Sequence, residues 1–362
     1  MITISLCMIV KNEANRLSNC LDTVKDIVDE IIIVDTGSTD DTIEIAKKYT
    51  DNIYHFEWVN DFSKARNYSF SLASKEYIIW LDGDDILVEE NRQKLIKLKE
   101  SLDTNVNCVK MIYDYLFDEK GNITCQFAVN KLVKNHIGFY WDSAIHETLN
   151  AWGEIIESDI HITHTRSHYD AQRNVDTLRR IMKDGHFLST RETLLYGQEL
   201  FFSGNYDEAI RVFEDVFRKP DVDFCVKRYY FNQIARCYEV KKDFNKALSY
   251  YVDSFKDLVP EVNNLYKLAR LYHANKQYDE AIFWYETLVR MDFSIFKKYS
   301  YDVDYTTFYP YIQLSLCFYY GKGDIEKANE YNEKAAIYKP DDESVIFNRK
   351  FYQPFLSSNK EV

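Results

Sequence analysis

Tyr77-Ile78-Ile79-Trp80-Leu81-Asp82-Gly83-Asp84-Asp85 is the stretch that decides the fold. An unbroken apolar run rich in β-branched and aromatic residues reads as a strand buried on both faces, the signature of a parallel sheet. It stops abruptly at a cluster of carboxylates. Upstream, Ile2–Val10, Glu30–Val34 and Ile53–Phe56 repeat the strand pattern, separated by the amphipathic stretches Ala14–Val28 and Thr42–Tyr49, and Phe62–Ala73 reads as a further helix. Strand-helix alternation of this kind builds an α/β layer with helices on both faces of the sheet. Asp35-Thr36-Gly37-Ser38-Thr39-Asp40-Asp41-Thr42 follows one strand and precedes one helix, with Thr39, Asp40 or Asp41 placed to cap it. Both acidic turns therefore fall at the carboxyl edge of the sheet, where open α/β sheets bind ligands.

Downstream the pattern changes twice. After Asn105 it becomes strand-rich: Cys108–Phe117, a turn at Lys120-Gly121-Asn122, Ile123–Val133 and a run to His161–His164 predict an antiparallel extension closing one side of the site. From Asn174 nearly everything is helical. Asn205-Tyr206-Asp207-Glu208-Ala209, Asp243-Phe244-Asn245-Lys246-Ala247, Gln277-Tyr278-Asp279-Glu280-Ala281 and Gly323-Asp324-Ile325-Glu326-Lys327-Ala328 repeat one another, with Ala-to-Ala steps of 38, 34 and 47 residues. These straddle the roughly 34-residue period of tetratricopeptide repeats, in which a small residue lets paired helices approach. Pro220, Pro260 and Pro340 are expected near helix ends. The expected division is an α/β domain over 1–170, a helical connector over 171–192 and tetratricopeptide-like repeats over 193–362.

Composition narrows the function. The formal charge of −13 argues against a nucleic-acid substrate, whose binding needs clustered Lys and Arg. Seven scattered cysteines without a Cys-x-x-Cys pair suit a reduced, cytoplasmic protein. Ile2–Val10 lacks the basic flank of a signal peptide, and Tyr305–Gly321, with Pro310, Gln313 and several tyrosines, reads as a packed helix, so no integral membrane segment is expected.

Closely spaced carboxylates repel by roughly 1–4 kcal/mol per pair at surface dielectric constants, and a hard divalent cation removes that cost. An Asp-x-Asp turn alone is equally a solvated surface turn. Here it has company: Ser5-Leu6-Cys7-Met8-Ile9-Val10-Lys11-Asn12-Glu13, Val34–Thr42, Asp61-Phe62-Ser63-Lys64-Ala65-Arg66-Asn67 and Trp80–Asp85 occur in order. The set resembles the family 2 glycosyltransferases over about residues 2–90, with Ala144–Glu147 and Ile162–His164 extending the likeness to about residue 170. Joined to the repeats, it is similar to bacterial peptide S-glycosyltransferases of the sublancin type.

The resemblance implies a GT-A fold, Rossmann-like with a mostly parallel sheet, and inverting transfer from a UDP-sugar with Mn²⁺ or Mg²⁺. It places Asp35 on the uracil, Val10, Lys11, Asn12 and Glu13 along base and ribose, and Arg66 at the nucleotide or diphosphate. An ion pair of Arg66 with Asp61 or Glu57 is the bland alternative. Asp84 is the expected direct metal ligand, with Asp82, next to Gly83, on ribose or a metal-bound water. His164 is the expected third-ligand histidine. His161, His164 and His168 offer a zinc site less well, since no thiolate or carboxylate stands at a matching short spacing. For the base that deprotonates the acceptor, Glu147, His146 and Asp85 stay unranked. Gly138-Phe139-Tyr140-Trp141 would stack on a sugar or join the core. The expected reaction moves a hexose from a UDP-hexose to a peptide or protein side chain, Cys or Ser/Thr. Transfer to a surface polysaccharide or lipid-linked glycan is one alternative, and a repeat scaffold with an inactive transferase domain is another. The aromatic excess of the repeats adds the expectation of a homodimer through them.

Overall fold

The protein is described here from a computed structural model covering residues 1–362 except 119–120, 122, 166–168, 218–221, 256–260, 292–302 and 359–362. It forms two compact units, Met1–Leu188 and Ser189–Val362.

The first unit runs β1 (Ile4–Val10), α1 (Leu17–Asp22), β2 (Glu30–Asp35), α2 (Thr42–Ala46), β3 (Ile53–His55), α3 (Phe62–Ser71), β4 (Tyr77–Trp80), β5 (Asp85–Ile86), α4 (Glu89–Ser101), β6 (Cys108–Phe117), β7 (Ile123–Lys134), β8 (Tyr140–Asp142), β9 (Thr148–Asn150), β10 (Ile155–His164) and α5 (Ala171–Lys183). Eight strands make one mostly parallel sheet in the order β3-β2-β1-β4-β7-β6-β10-β5, and β8 pairs β9 separately. β1 is parallel to both β2 and β4, so the chain leaves it in opposite directions and opens a crevice at their carboxyl ends. The apolar strand runs earn their length by facing two cores. Ile4, Leu6, Met8, Tyr77 and Ile79 enter one, while Cys7, Ile78 and Trp80 enter the other.

The extension departs from the expectation in one respect. β6 and β7 are antiparallel as expected, but β10 returns parallel to β6. Its last residues then pair antiparallel with β5, setting His164 opposite Asp85. That pairing delivers a histidine far along the chain to the acidic turn. The predicted turn falls partly outside the described residues, at Lys120 and Asn122.

The second unit is helical: α6 (Thr190–Phe202), α7 (Tyr206–Phe217), α8 (Phe224–Val240), α9 (Phe244–Asp253), α10 (Val262–Ala274), α11 (Tyr278–Arg290), α12 (Phe308–Cys317), α13 (Ile325–Ala336) and α14 (Glu343–Ser358). Helices pack in consecutive pairs, and the four repeat alanines, Ala209, Ala247, Ala281 and Ala328, are all 0% exposed. Each sits where a larger side chain would separate the pair. Gly197 serves the same end on α6, since a Cβ there would stand 2.2 Å from Phe213. The expected helix over Tyr305–Gly321 is interrupted: a 3₁₀ turn at Val303–Tyr305 precedes α12, and a π turn at Phe318–Lys322 follows it. Among the described residues no helix is long and apolar enough to cross a membrane. Pro340 lies between α13 and α14, whereas Pro220 and Pro260 fall outside the described residues. The expected connector is redrawn, because α5 belongs to the first unit and α6 opens the second with a capping box between Ser189 and Glu192.

Candidate active site

Two loops at the crevice are tied together before any acid is considered. After β2, the Asp35 carboxylate turns back to accept from the Gly37 and Ser38 amides at 3.0 and 3.1 Å. Gly37 takes φ +101°, a left-handed conformation that favours glycine. The loop after β1 is stapled to it: Asn12 Oδ1 accepts from the Thr39 amide, and Thr42 Oγ1 from the Glu13 amide. Asp40, one of the three expected caps, accepts from the Thr42 amide and hydroxyl, while Asp41 makes no side-chain cap. Val10, Lys11, Asn12, Glu13 and Asp35 thus line one rim. Glu13 also covers Gly83, where a Cβ would approach its Cγ to 2.8 Å. Glycine is what lets this carboxylate lie against the acidic turn. Burial and the charges of Asp84, Asp82 and Asp40, partly offset by Arg16, push Glu13 up to about 7.

Asp84, Asp85 and His164 bring ligand atoms within 4.8 Å of one another. The three are not equivalent. Asp85 is fully buried, and both its oxygens are occupied. Oδ1 accepts from the Tyr113 hydroxyl at 2.6 Å and lies 3.0 Å from His164 Nδ1, while Oδ2 accepts from the Asp82 amide at 3.0 Å and Lys131 Nζ at 3.1 Å. Burial opposes its charge, but Lys131, His164 and Tyr113 hold the carboxyl well below the usual carboxylate range. Asp85, carried as a base candidate, is therefore corrected to an internal anchor: it is inaccessible to an acceptor and a poor proton acceptor. With Nδ1 committed to Asp85 and Tyr113, Nε2 is the His164 ring nitrogen left for a further partner, and a hydrogen bond at the other nitrogen is what orients a metal-ligating imidazole. Burial disfavours its charge, yet the Asp85 hydrogen bond and the charges of Asp84, Asp85 and Asp82 raise its affinity for a proton. Asp84 is raised too, by burial and by the charges of Asp82 and Asp85 against His164. Its carboxylate is 3.4 Å from His164 Nδ1 and 3.7 Å from Arg16. The Asp84 carboxylate and the His164 imidazole suit Mn²⁺ or Mg²⁺, and this donor set fits such an ion.

Arg66 does not form the ion pair expected as the bland alternative. Its partners are neither Asp61, which caps α3 through the Lys64 amide, nor Glu57. Buried between the Trp80 and Trp141 rings at 4.8 and 4.7 Å, it donates from Nη2 to Asp82 at 2.7 Å and from Nε to Glu147 at 2.6 Å. One guanidinium thereby joins the acidic turn to the His146-Glu147 segment. His146 is exposed, with φ 50°. The Gly138–Trp141 segment divides: Trp141 is core and Tyr140 is exposed. His161 pairs with Asp114 at 3.0 Å, away from the Asp84 cluster, and His168 lies outside the described residues. Lys131, Tyr113 and the tryptophan clamp were missed in the sequence. The available signal was a lysine beside Leu132-Val133 in a strand, a charge in an apolar run.

Residues 5–139 match the glycosyl transferase family 2 profile. They form a family 2 glycosyltransferase domain. Residues 262–294, spanning α10 and α11, match a tetratricopeptide repeat. A TPR repeat-containing protein of Synechococcus elongatus is 47% identical over 90 residues, 25% of this chain and 22% of that one. The SPbeta prophage-derived glycosyltransferase SunS of Bacillus subtilis is 37% identical over 141 residues, 37% of this chain and 33% of that one. An uncharacterized glycosyltransferase of Rickettsia felis is 35% identical over 92 residues, 25% and 32% of the two chains. The chain spans between 22% and 33% of the length of these curated relatives.

Proposed function

We propose that the chain transfers a hexose, with inversion, from a UDP-hexose to a peptide or protein side chain, Cys or Ser/Thr, in the cytoplasm. The observation that supports this most is the meeting of Asp84 with His164 across the β5–β10 pairing, at the carboxyl edge of a family 2 domain. In this proposal Asp84 and His164 Nε2 hold Mn²⁺ or Mg²⁺, which when bound supplies positive charge for the leaving diphosphate. Asp35 and the 10–13 loop hold uridine, and Asp82 takes ribose or a metal-bound water. Glu147 removes the acceptor proton while the bond from C1 of the sugar to the diphosphate breaks and the bond to acceptor S or O forms on the opposite face. Arg66 keeps Glu147 and Asp82 in fixed relation, and His146 borders the acceptor entrance.

Oligomerisation through the repeats is part of the proposal. α14 exposes Phe347, Phe351 and Phe355 along one face, at 66%, 36% and 44%, an apolar row that a second copy would cover. A dimer mass by light scattering is expected, and a monomer at working concentration refutes it. The reaction is tested by intact-mass measurement of candidate peptides incubated with the protein, Mn²⁺ and a panel of UDP-sugars. A hexose increment on a Cys, Ser or Thr side chain is expected; transfer only to glycan or lipid-linked acceptors refutes the acceptor class.

A further inference from the structure

β7 leaves part of one edge without a partner strand. β6 pairs with it from Ile123 to Val133, but β4, on its other side, reaches only Leu132, Val133 and Lys134. Register with β6 is unbroken from Gln126 to Asn130, opposite Asp114 to Lys110, with an irregularity at either end. The Asn130 carbonyl accepts from the Trp80 indole of β4 at 2.7 Å, so it points away from β6. In a regular antiparallel pair the backbone groups of every second residue point the same way. Those of Ala128 and Gln126 therefore also point away from β6. They meet no backbone partner there among the described residues, and both residues are exposed.

Open edges are ordinarily blunted by charge or proline, because they template pairing with other chains. Ile123-Thr124-Cys125-Gln126-Phe127-Ala128-Val129 carries neither, in a chain with 28% charged residues, and Ile123 and Phe127 are 44% and 45% exposed. The free stretch also runs into the candidate active site. Lys131, the residue after Asn130, donates to Asp85, and Asn130 Nδ2 donates to the Leu149 carbonyl, two positions from Glu147. The Phe127 ring lies 5.7 Å from that of Tyr115, which stacks on His164 at 5.6 Å. Side chains alternate between the faces of a strand. Every second residue of a strand added here would therefore share the face of Phe127, along which the aromatic row leads to His164. A glycan or a lipid headgroup lacks the regular N–H and C=O spacing that such an edge matches, whereas an extended peptide supplies it.

We infer that the acceptor binds as an extended strand added to the free edge of β7 at Gln126–Ala128, presenting its reacting side chain on the face that leads to His164. This rests on the peptide acceptor of the proposed function. The probe is the strand-forming heptapeptide Thr-Val-Thr-Cys-Thr-Val-Thr, with two further forms N-methylated on the odd-numbered or on the even-numbered amides. Hexose transfer by the full-length protein is expected to fall about tenfold or more in kcat/KM for one methylated form and to persist for the other, since only alternate amides face β7. Ala128→Pro removes an N–H that points away from β6, where proline is tolerated, whereas Phe127→Pro removes one that faces β6. Ala128→Pro is therefore expected to melt close to wild type and to lose about tenfold or more in kcat/KM on the heptapeptide, while Phe127→Pro melts lower. Equal use of all three peptides, full transfer by Ala128→Pro, or a melt as low as that of Phe127→Pro overturns the inference. So does transfer to other peptides but not to this one. Conversion of a dimeric wild type to a monomer by Ala128→Pro also overturns it, because the edge then belongs to a second copy. Failure of wild type to transfer to any peptide is a different result: it refutes the proposed acceptor class and takes this inference with it.

Discussion

Lys131→Met tests the buried centre beneath the candidate active site. In the wild type, Lys131 and Asp85 are both 0% exposed and 3.1 Å apart. The Asp85 carboxylate has four polar neighbours, of which Lys131 is the one ammonium, its proton affinity lowered by burial against the pull of Asp85, while His164 contributes charge only when protonated. Methionine keeps the apolar stem out to Cε but removes Nζ, which lies 3.3 Å from the centre of the Trp80 ring. What is lost is the compensation of a buried anion, and removing one partner of such a pair costs about 3–5 kcal/mol. His164, whose proton affinity is raised, covers part of the charge at acidic pH. The expected loss is therefore near the lower end, about 3 kcal/mol, around pH 6, and it grows as the pH rises and His164 loses its proton. Urea unfolding followed by tryptophan emission reads it, since Trp58, Trp80, Trp141 and Trp152 all lie in the first unit and only Trp284 in the second. Lys131→Met combined with Asp85→Asn removes the uncompensated charge and is expected to recover at least half of the loss. A single-variant loss below about 1 kcal/mol, or a double variant no better than the single, refutes the ionic pair as described.

Three further outcomes follow from particular contacts. Gly197→Ala drives a Cβ toward Phe213, 2.2 Å away, so the helical unit is expected to lose about 1–3 kcal/mol in a circular-dichroism melt; an unchanged melt shows that α6 and α7 do not approach so closely. Lys267 gives a pH signature. Burial pushes its ammonium down to about 8 from the ordinary lysine value of 10.5, so between those limits the unfolded chain binds more protons and stability rises with pH, while below 8 the full penalty of burying the charge is present. Relative to Lys267→Met, the wild type should gain stability from pH 8 to 10.5, and parallel profiles contradict the burial. Arg66→Lys keeps the charge but loses the flat fork between the tryptophans, and is expected to lower kcat of transfer about tenfold or more. A kcat equal to wild type refutes the role given to the Asp82–Glu147 link.

Much of the first unit was legible because its strands are buried on both faces, which leaves runs such as Tyr77–Leu81 with no alternation to misread. The repeats were legible through four small alanines, two of whose three spacings lie near one period and all of which are fully buried. The polar centre was not. Asp85 and Asp84 are neighbours of identical chemistry in the chain, and only the β5–β10 pairing shows that one faces inward to Lys131 and the other toward the crevice. Arg66 lay 81 positions from Glu147, a separation at which no local pattern can report an ion pair.

The central claim is that Asp84 and His164 form a cation-dependent nucleotide site. Isothermal titration of UDP into the full-length protein measures it most directly, with Mn²⁺, with excess chelator, and in Asp84→Ala. Binding that requires Mn²⁺ and is lost in Asp84→Ala, with the melting temperature of that variant unchanged, is the predicted result. Undiminished UDP binding in chelator, or in Asp84→Ala with Mn²⁺ present, would contradict the account.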